Sequence, residues 1–241
     1  MIISHKNKYV FIQLDNTASS TMGIELVKNY GGESILWKHA RYEDFMRIAN
    51  SEEKKYFIFS GIRNPMDSAV SNYFFRKLGY EKKNKINLKK HFFIETTHAD
   101  FTSYFKKYIS KNIYENWKTK KFHKLGFVYK YENIQTDFSK ILEIIGEKQK
   151  RPLPILNTTP EKEKNYEFYY PEEIQGIAKI IFRDFMKKWD YSFPNSWREP
   201  SFKEKILVQA VLYSKFFLQK KWHMLIDHPL IYKKYHKITT I

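Results

Sequence analysis

Phe57-Ile58-Phe59-Ser60-Gly61-Ile62-Arg63-Asn64-Pro65 constrains this chain more than any other stretch. An apolar, β-rich run ends in arginine and gives way at once to a proline-opened helix. The guanidinium is thereby set at the carboxyl end of a buried strand, the ligand-binding edge of an open α/β sheet. Arginine can fork onto two phosphate oxygens, and the free amides of a helix start add partial positive charge. Pro65 suits the first helical turn, where its missing N–H costs nothing. Ser71 follows on the same helix. A helix cap with one surface arginine is the plain alternative for this segment by itself.

A second segment has the same grammar. Tyr9-Val10-Phe11-Ile12-Gln13-Leu14 is long enough for one strand. It stops at Asp15-Asn16-Thr17-Ala18-Ser19-Ser20-Thr21, all small or polar, and Met22 to Tyr30 then reads as helix. Strand, small-residue loop and helix form a cradle for a phosphate-like group. It is not a Walker loop, because no Gly-Lys-Ser/Thr stands at the required spacing. Capping would account for one or two of the hydroxyls of Thr17, Ser19, Ser20 and Thr21.

Further elements repeat the alternation. Ser34 to Trp37 reads as a short strand and Tyr42 to Asn50 as a short helix. Tyr56 to Ile62 is the second strong strand, and Pro65 to Lys77 the helix after it. Residues 80–97 read as a lysine-rich surface loop, and Phe101 to Ile109 as helix. Phe127 to Tyr131 is a third strand, followed by a helix from Gln135 that Gly146 terminates. Pro171 to Trp189 is helical, with Ile174, Ile177, Ala178, Ile181, Phe182 and Phe185 on one face. Strands alternating with helices predict an α/β domain over residues 1–195 with a mainly parallel sheet. Residues 196–241 are predicted to form a C-terminal helical extension, packed on that domain or on a partner.

Lysine and arginine number 43 against 26 acids, a formal charge of +17, which favours anionic partners without choosing among them. The absence of cysteine excludes disulfides, thiolate zinc sites and cysteine nucleophiles. The eight histidines show no zinc-binding spacing, so no metal is expected. The chain reaches a strand within a few residues, with no signal segment, and no run matches the roughly 18–20 apolar residues of a membrane span. A cytoplasmic location is the expectation.

With both loops and the third strand in view, the chain resembles sulfotransferases that use 3′-phosphoadenosine 5′-phosphosulfate (PAPS), particularly the compact bacterial members. That family's first loop, Lys-Thr-Ala/Gly-Gly-Thr-Ser, is matched by Asn16-Thr17-Ala18-Ser19-Ser20-Thr21. The resemblance implies that this loop holds the 5′-phosphosulfate. The family's Arg-Asn/Asp-Pro-x-Asp-Arg-x-x-Ser element implies that Arg63 and Ser71 grip the 3′-phosphate. Tyr131-Glu132-Asn133-Ile134 is similar to a Tyr-Glu-Asn-Leu segment. Leu153 to Thr159, Tyr169-Tyr170 and Trp189-Asp190-Tyr191 are similar to the family's C-terminal portion. Coverage runs from Met1 to Tyr191, and the fold implied is the P-loop-like α/β sandwich. Three positions depart: Asn16 stands for the loop lysine, Ser19 for a glycine, and Ser68 for the second arginine. The family lysine stabilises charge on the leaving oxygen. Losing one such donor costs about 2.7–4 kcal/mol.

The resemblance implies an in-line attack by an acceptor hydroxyl or amine, with carbohydrates and glycolipids among the candidate acceptors and PAPS as co-substrate. A base takes the acceptor's proton. His39 in Lys38-His39-Ala40 is the first candidate, with a surface or capping histidine as the plain reading. Lys38 is a candidate for the cation missing at position 16, and His98 and Glu95 are further candidate bases. Two other readings compete with an active transferase. One is a nucleotide- or glycan-binding module that kept the fold and lost catalytic power; the other is a polyanion binder. Against the last, the chain carries no nucleic-acid-binding signature. Phe202, Ile206, Ala210, Tyr213 and Phe217 recur at helical spacing with Lys203, Lys205, Lys215, Lys220 and Lys221 nearby. That pattern predicts a helix packed on the domain or on a second subunit, or a basic element on an anionic membrane.

Overall fold

A computed structural model of the chain describes residues 1–83, 100–109, 119–154 and 162–210. Five strands form one sheet: β1 (Ile2–Ser4), β2 (Tyr9–Ile12), β3 (Glu33–Ser34), β4 (Phe57–Ile62) and β5 (Phe127–Lys130), in the order β3-β1-β2-β4-β5. β2 runs parallel to β4, and β4 parallel to β5. β1 is antiparallel to both β2 and β3, so the sheet is mixed rather than mainly parallel as expected. The difference lies in β1, whose three residues precede the polar turn His5-Lys6-Asn7-Lys8. So short a run carries no periodicity to read. Lys8, at φ 50°, helps the chain reverse into β2.

Alternation along each strand builds the two faces. Tyr9, Phe11, Phe59 and Tyr129 point to one side, where Met22 and Leu26 of the Ser19–Asn29 helix meet Phe138, Ile141 and Leu142 of the Ile134–Ile144 helix. Val10, Ile12 and Ile58 point to the other, against Phe45 of the Tyr42–Ile48 helix. Farther along that second side, Leu14 and Ile62 pack on Phe122 and Phe185. Helices thus cover both faces, the arrangement of an α/β domain.

A further core lies beside the sheet. The Pro65–Lys83 helix presents Met66, Ala69, Val70, Tyr73 and Phe74 to Ile174, Ala178, Ile181 and Phe182 of the Glu172–Lys188 helix, with Phe101 and Phe105 between them. The Pro65–Lys83 helix runs past the expected Lys77 because Arg76, Lys77, Leu78 and Glu81 to Lys83 are all good helix formers. The Ile134–Ile144 helix closes as expected, with Gly146 at φ 75° just beyond it. The expected helix over 101–109 is an α-turn, Phe101–Tyr104, followed by a π-turn, Phe105–Ile109.

Residues 202–210 are helical. Trp197 and Val208 join the helical core. Phe202 and Ile206 of the anticipated apolar stripe face solvent instead. Tyr213 and Phe217 lie outside the described residues, as do the candidate bases Glu95 and His98.

Candidate functional site

Because β2, β4 and β5 run parallel, their carboxyl ends share one edge of the sheet. Three loops leave from it: Gln13 to Ala18, Arg63-Asn64, and the turn Tyr131–Asn133. The first is bent by Asn16 at φ 62° and Ala18 at φ 56°. Asparagine tolerates the left-handed region, whereas alanine there costs about 1–2 kcal/mol. Tyr129 restrains this bend from below, its buried hydroxyl donating to the Thr17 carbonyl at 3.0 Å. The Thr17 hydroxyl turns back to the Leu14 carbonyl at 2.9 Å, so its role is to shape the loop.

The Ser19–Asn29 helix starts without a side-chain cap. Its first intrahelical bond runs from Met22 N to Ala18 O at 3.1 Å. The amides of Ser19, Ser20 and Thr21 precede that bond and supply the positive end of the helix. Ser19, where the resemblance calls for glycine, is helical and buried. A positive φ is therefore needed at Asn16 and Ala18 and not at Ser19. Lys38 Nζ donates to Ser20 Oγ at 2.7 Å, which brings a cation from the loop after β3 to the helix start.

Arg63 abuts the same loop, its Nη1 donating to the Asn16 carbonyl at 3.1 Å. Its guanidinium lies 4.0 Å over the ring of Tyr131 and pairs with Asp67 at 2.7 Å. Lys162 reaches the other oxygen of Asp67 and donates to Ser71 Oγ at 3.2 Å. The three charged side chains are only 10–13 % exposed. Burial pulls the Lys162 amine below its ordinary pKa, while Asp67 pulls it back up and Arg63 adds to the lowering. Two cations share the Asp67 carboxylate here, and Glu132 accepts from the neighbouring Asn64 amide at 2.7 Å. Asn16 completes the link, its Nδ2 donating to Ser68 Oγ at 3.3 Å and to Asn72 Oδ1 at 2.9 Å.

His39 is held at both nitrogens. Nδ1 lies 3.1 Å from the Gln13 carbonyl, which can only accept, and Nε2 lies 2.9 Å from Asp15 Oδ1. A base needs one bare nitrogen, so His39 can take a proton from an acceptor only once Asp15 releases Nε2. The amine of Met1 braces this corner. It donates to Gln13 Oε1 at 3.0 Å, Trp37 O at 3.2 Å and Lys38 O at 3.3 Å. Burial, and then the Lys38 charge, lower the pKa of that amine to about 6.

The structure thus gathers Asn16, Thr17, Ala18, Ser19, Ser20, Thr21, Lys38, His39, Arg63 and Ser71 around one sheet edge. It adds Lys162, Asp67, Asn72, Tyr131, Gln13 and the Met1 amine. Lys162 gave no signal, since it stands in the alternating Glu161-Lys162-Glu163-Lys164, which reads as solvated surface. The signal for Asp67 is its place in the first turn of the helix that Pro65 opens, four residues after Arg63. Among the described residues no group of three or more histidine, aspartate or glutamate side chains could hold a metal ion. Likewise no described helix is long and apolar enough to cross a membrane. Comparison of the chain with protein-family models, curated proteins and solved structures gives no match.

Proposed function

We propose that this sheet edge binds a nucleotide with two separated anionic groups, and that the protein is a PAPS-dependent sulfotransferase of P-loop-like fold. The carrying observation is the pair of cationic places joined through Asn16. One is the uncapped helix start beside Lys38; the other is Arg63 with Lys162 and Ser71. The first fits a 5′-phosphosulfate and the second a 3′-phosphate, which would share Arg63 and Lys162 with Asp67. PAPS would supply the sulfuryl group for the hydroxyl or amine of an acceptor, with carbohydrates and glycolipids as candidate classes. The chain's own residues orient the nucleotide, neutralise it and, through His39 once freed from Asp15, accept a proton.

One observation favours the second reading, a nucleotide-binding module with weak turnover. The Asn16 amide is committed to Ser68 and Asn72, and both His39 nitrogens are engaged. Neither group is poised for chemistry in this arrangement. Thermal shift with adenosine 3′,5′-bisphosphate, against 5′-AMP as control, tests the binding that both readings share. Stabilisation by the bisphosphate alone is expected, and equal response to both nucleotides would overturn the 3′-phosphate assignment. An acceptor screen with sulfur-labelled PAPS then separates transferase from module.

A further inference from the structure

The helix over residues 202–210 is used on two opposite sides. On its inner side Val208 is buried at 2 % exposure, and Glu204 receives both terminal nitrogens of Arg198, at 2.8 and 2.6 Å. Arg198 in turn donates to the Glu172 carbonyl at 2.7 Å, and Glu204 lies against Gly176. This fork fixes the helix's rotation on the Glu172–Lys188 helix, and it consumes the one acidic charge of the segment.

At 100° per residue, Phe202, Ile206 and Ala210 lie about 180° from that inner side. Phe202 is 76 % and Ile206 50 % exposed. Rolling the helix to bury this stripe on its own domain would break the Arg198–Glu204 fork and withdraw Val208. Lys203 and Lys205 flank the stripe on either side. An outward apolar ridge between two lysines matches an anionic lipid surface, with apolar side chains entering the acyl boundary and ammonium groups among the head groups. A second copy of the chain is a poorer match, because each copy carries a formal charge of +17.

We infer that the outer face of the 202–210 helix docks the protein, in the plane of the interface, onto membranes rich in anionic lipid. Docking of this kind is independent of what the sheet edge binds.

Vesicle flotation with the full chain tests the inference, using phosphatidylcholine alone and phosphatidylcholine with phosphatidylserine. Binding is expected only to the anionic vesicles and should fall as salt rises. Phe202→Ser with Ile206→Ser should weaken it by at least about tenfold, and Lys203→Gln with Lys205→Gln by about tenfold or more. All four positions are exposed, so the circular dichroism and melting temperature of both double variants should match those of the wild type. Wild-type protein that ignores anionic vesicles overturns the inference, as do serine variants that bind as well as wild type. A dimer in sedimentation that the serine variants abolish would assign the ridge to a second copy and overturn it too.

Discussion

Gly61→Ala should damage both the fold and the nucleotide loop through one side chain. Gly61 stands directly across from Tyr129 in the parallel β4/β5 pair. A methyl carbon there would come within 2.6 Å of the Tyr129 hydroxyl and closer still to its ring carbons. Tyr129 is fully buried, and the Phe11 ring packs near it with centroids 6.2 Å apart. The ring has nowhere to retreat without moving the core. Overpacking of this kind costs about 1–3 kcal/mol. Displacing the hydroxyl from the Thr17 carbonyl adds roughly 1–3 kcal/mol for buried groups left unpaired. A total of about 2–6 kcal/mol in a chain of this length lowers the melting temperature by roughly 5–20 °C. Thermal melts of Gly61→Ala beside Tyr129→Phe separate the two contributions, since the phenylalanine removes only the hydrogen bond. Affinity for adenosine 3′,5′-bisphosphate should fall in both variants, because the bend at Asn16 to Ala18 loses its support. A Gly61→Ala protein that melts within about 1 °C of wild type, below the least shift expected, would refute the packing described here.

Arg63→Ala and Lys162→Ala should each weaken bisphosphate binding by roughly tenfold or more, as loss of a charge-assisted bond implies; calorimetric affinities equal to wild type would remove the 3′-phosphate site. Asn16→Lys should keep nucleotide binding and raise PAPS hydrolysis, measured by release of labelled sulfate. If instead wild type turns over briskly and the lysine adds nothing, Lys38→Ala should be the variant that abolishes turnover. The Glu204 carboxyl is held down to about 2 by Arg198, from an ordinary 4.5. A lowered carboxyl pKa stabilises the fold above pH 4.5, and that contribution is lost as pH falls from there through about 2. For this partly exposed pair the loss is about 1–2 kcal/mol after solvent screening. Glu204→Gln should therefore flatten the acid limb of the melting curve, and an unchanged limb would show that the fork adds no stability.

Much of the framework is local and could be read along the chain. β2, β4 and β5 are runs of apolar, β-favouring residues bounded by polar turns. The helices carry a 3.6-residue period; Pro65 marks a start by its fixed φ, and Gly146 an end by its freedom to take a positive φ. Arg63 and the hydroxyl-rich loop were legible as site residues because each directly follows a strand, which places it at the sheet edge in any parallel arrangement. Periodicity reports which residues share a face, however, and not what that face meets. β1 acquires its direction only by pairing with β2 and β3, so the mixed sheet could not be read from three residues. Lys162 reaches Asp67 across 95 residues of chain, and the Met1 amine reaches Lys38 across 37. The engagement of His39 by Asp15, and the outward aim of Phe202 and Ile206, likewise depend on which segments the fold brings to a shared surface. Such contacts are made between segments that no local pattern relates, and only the packed chain decides them.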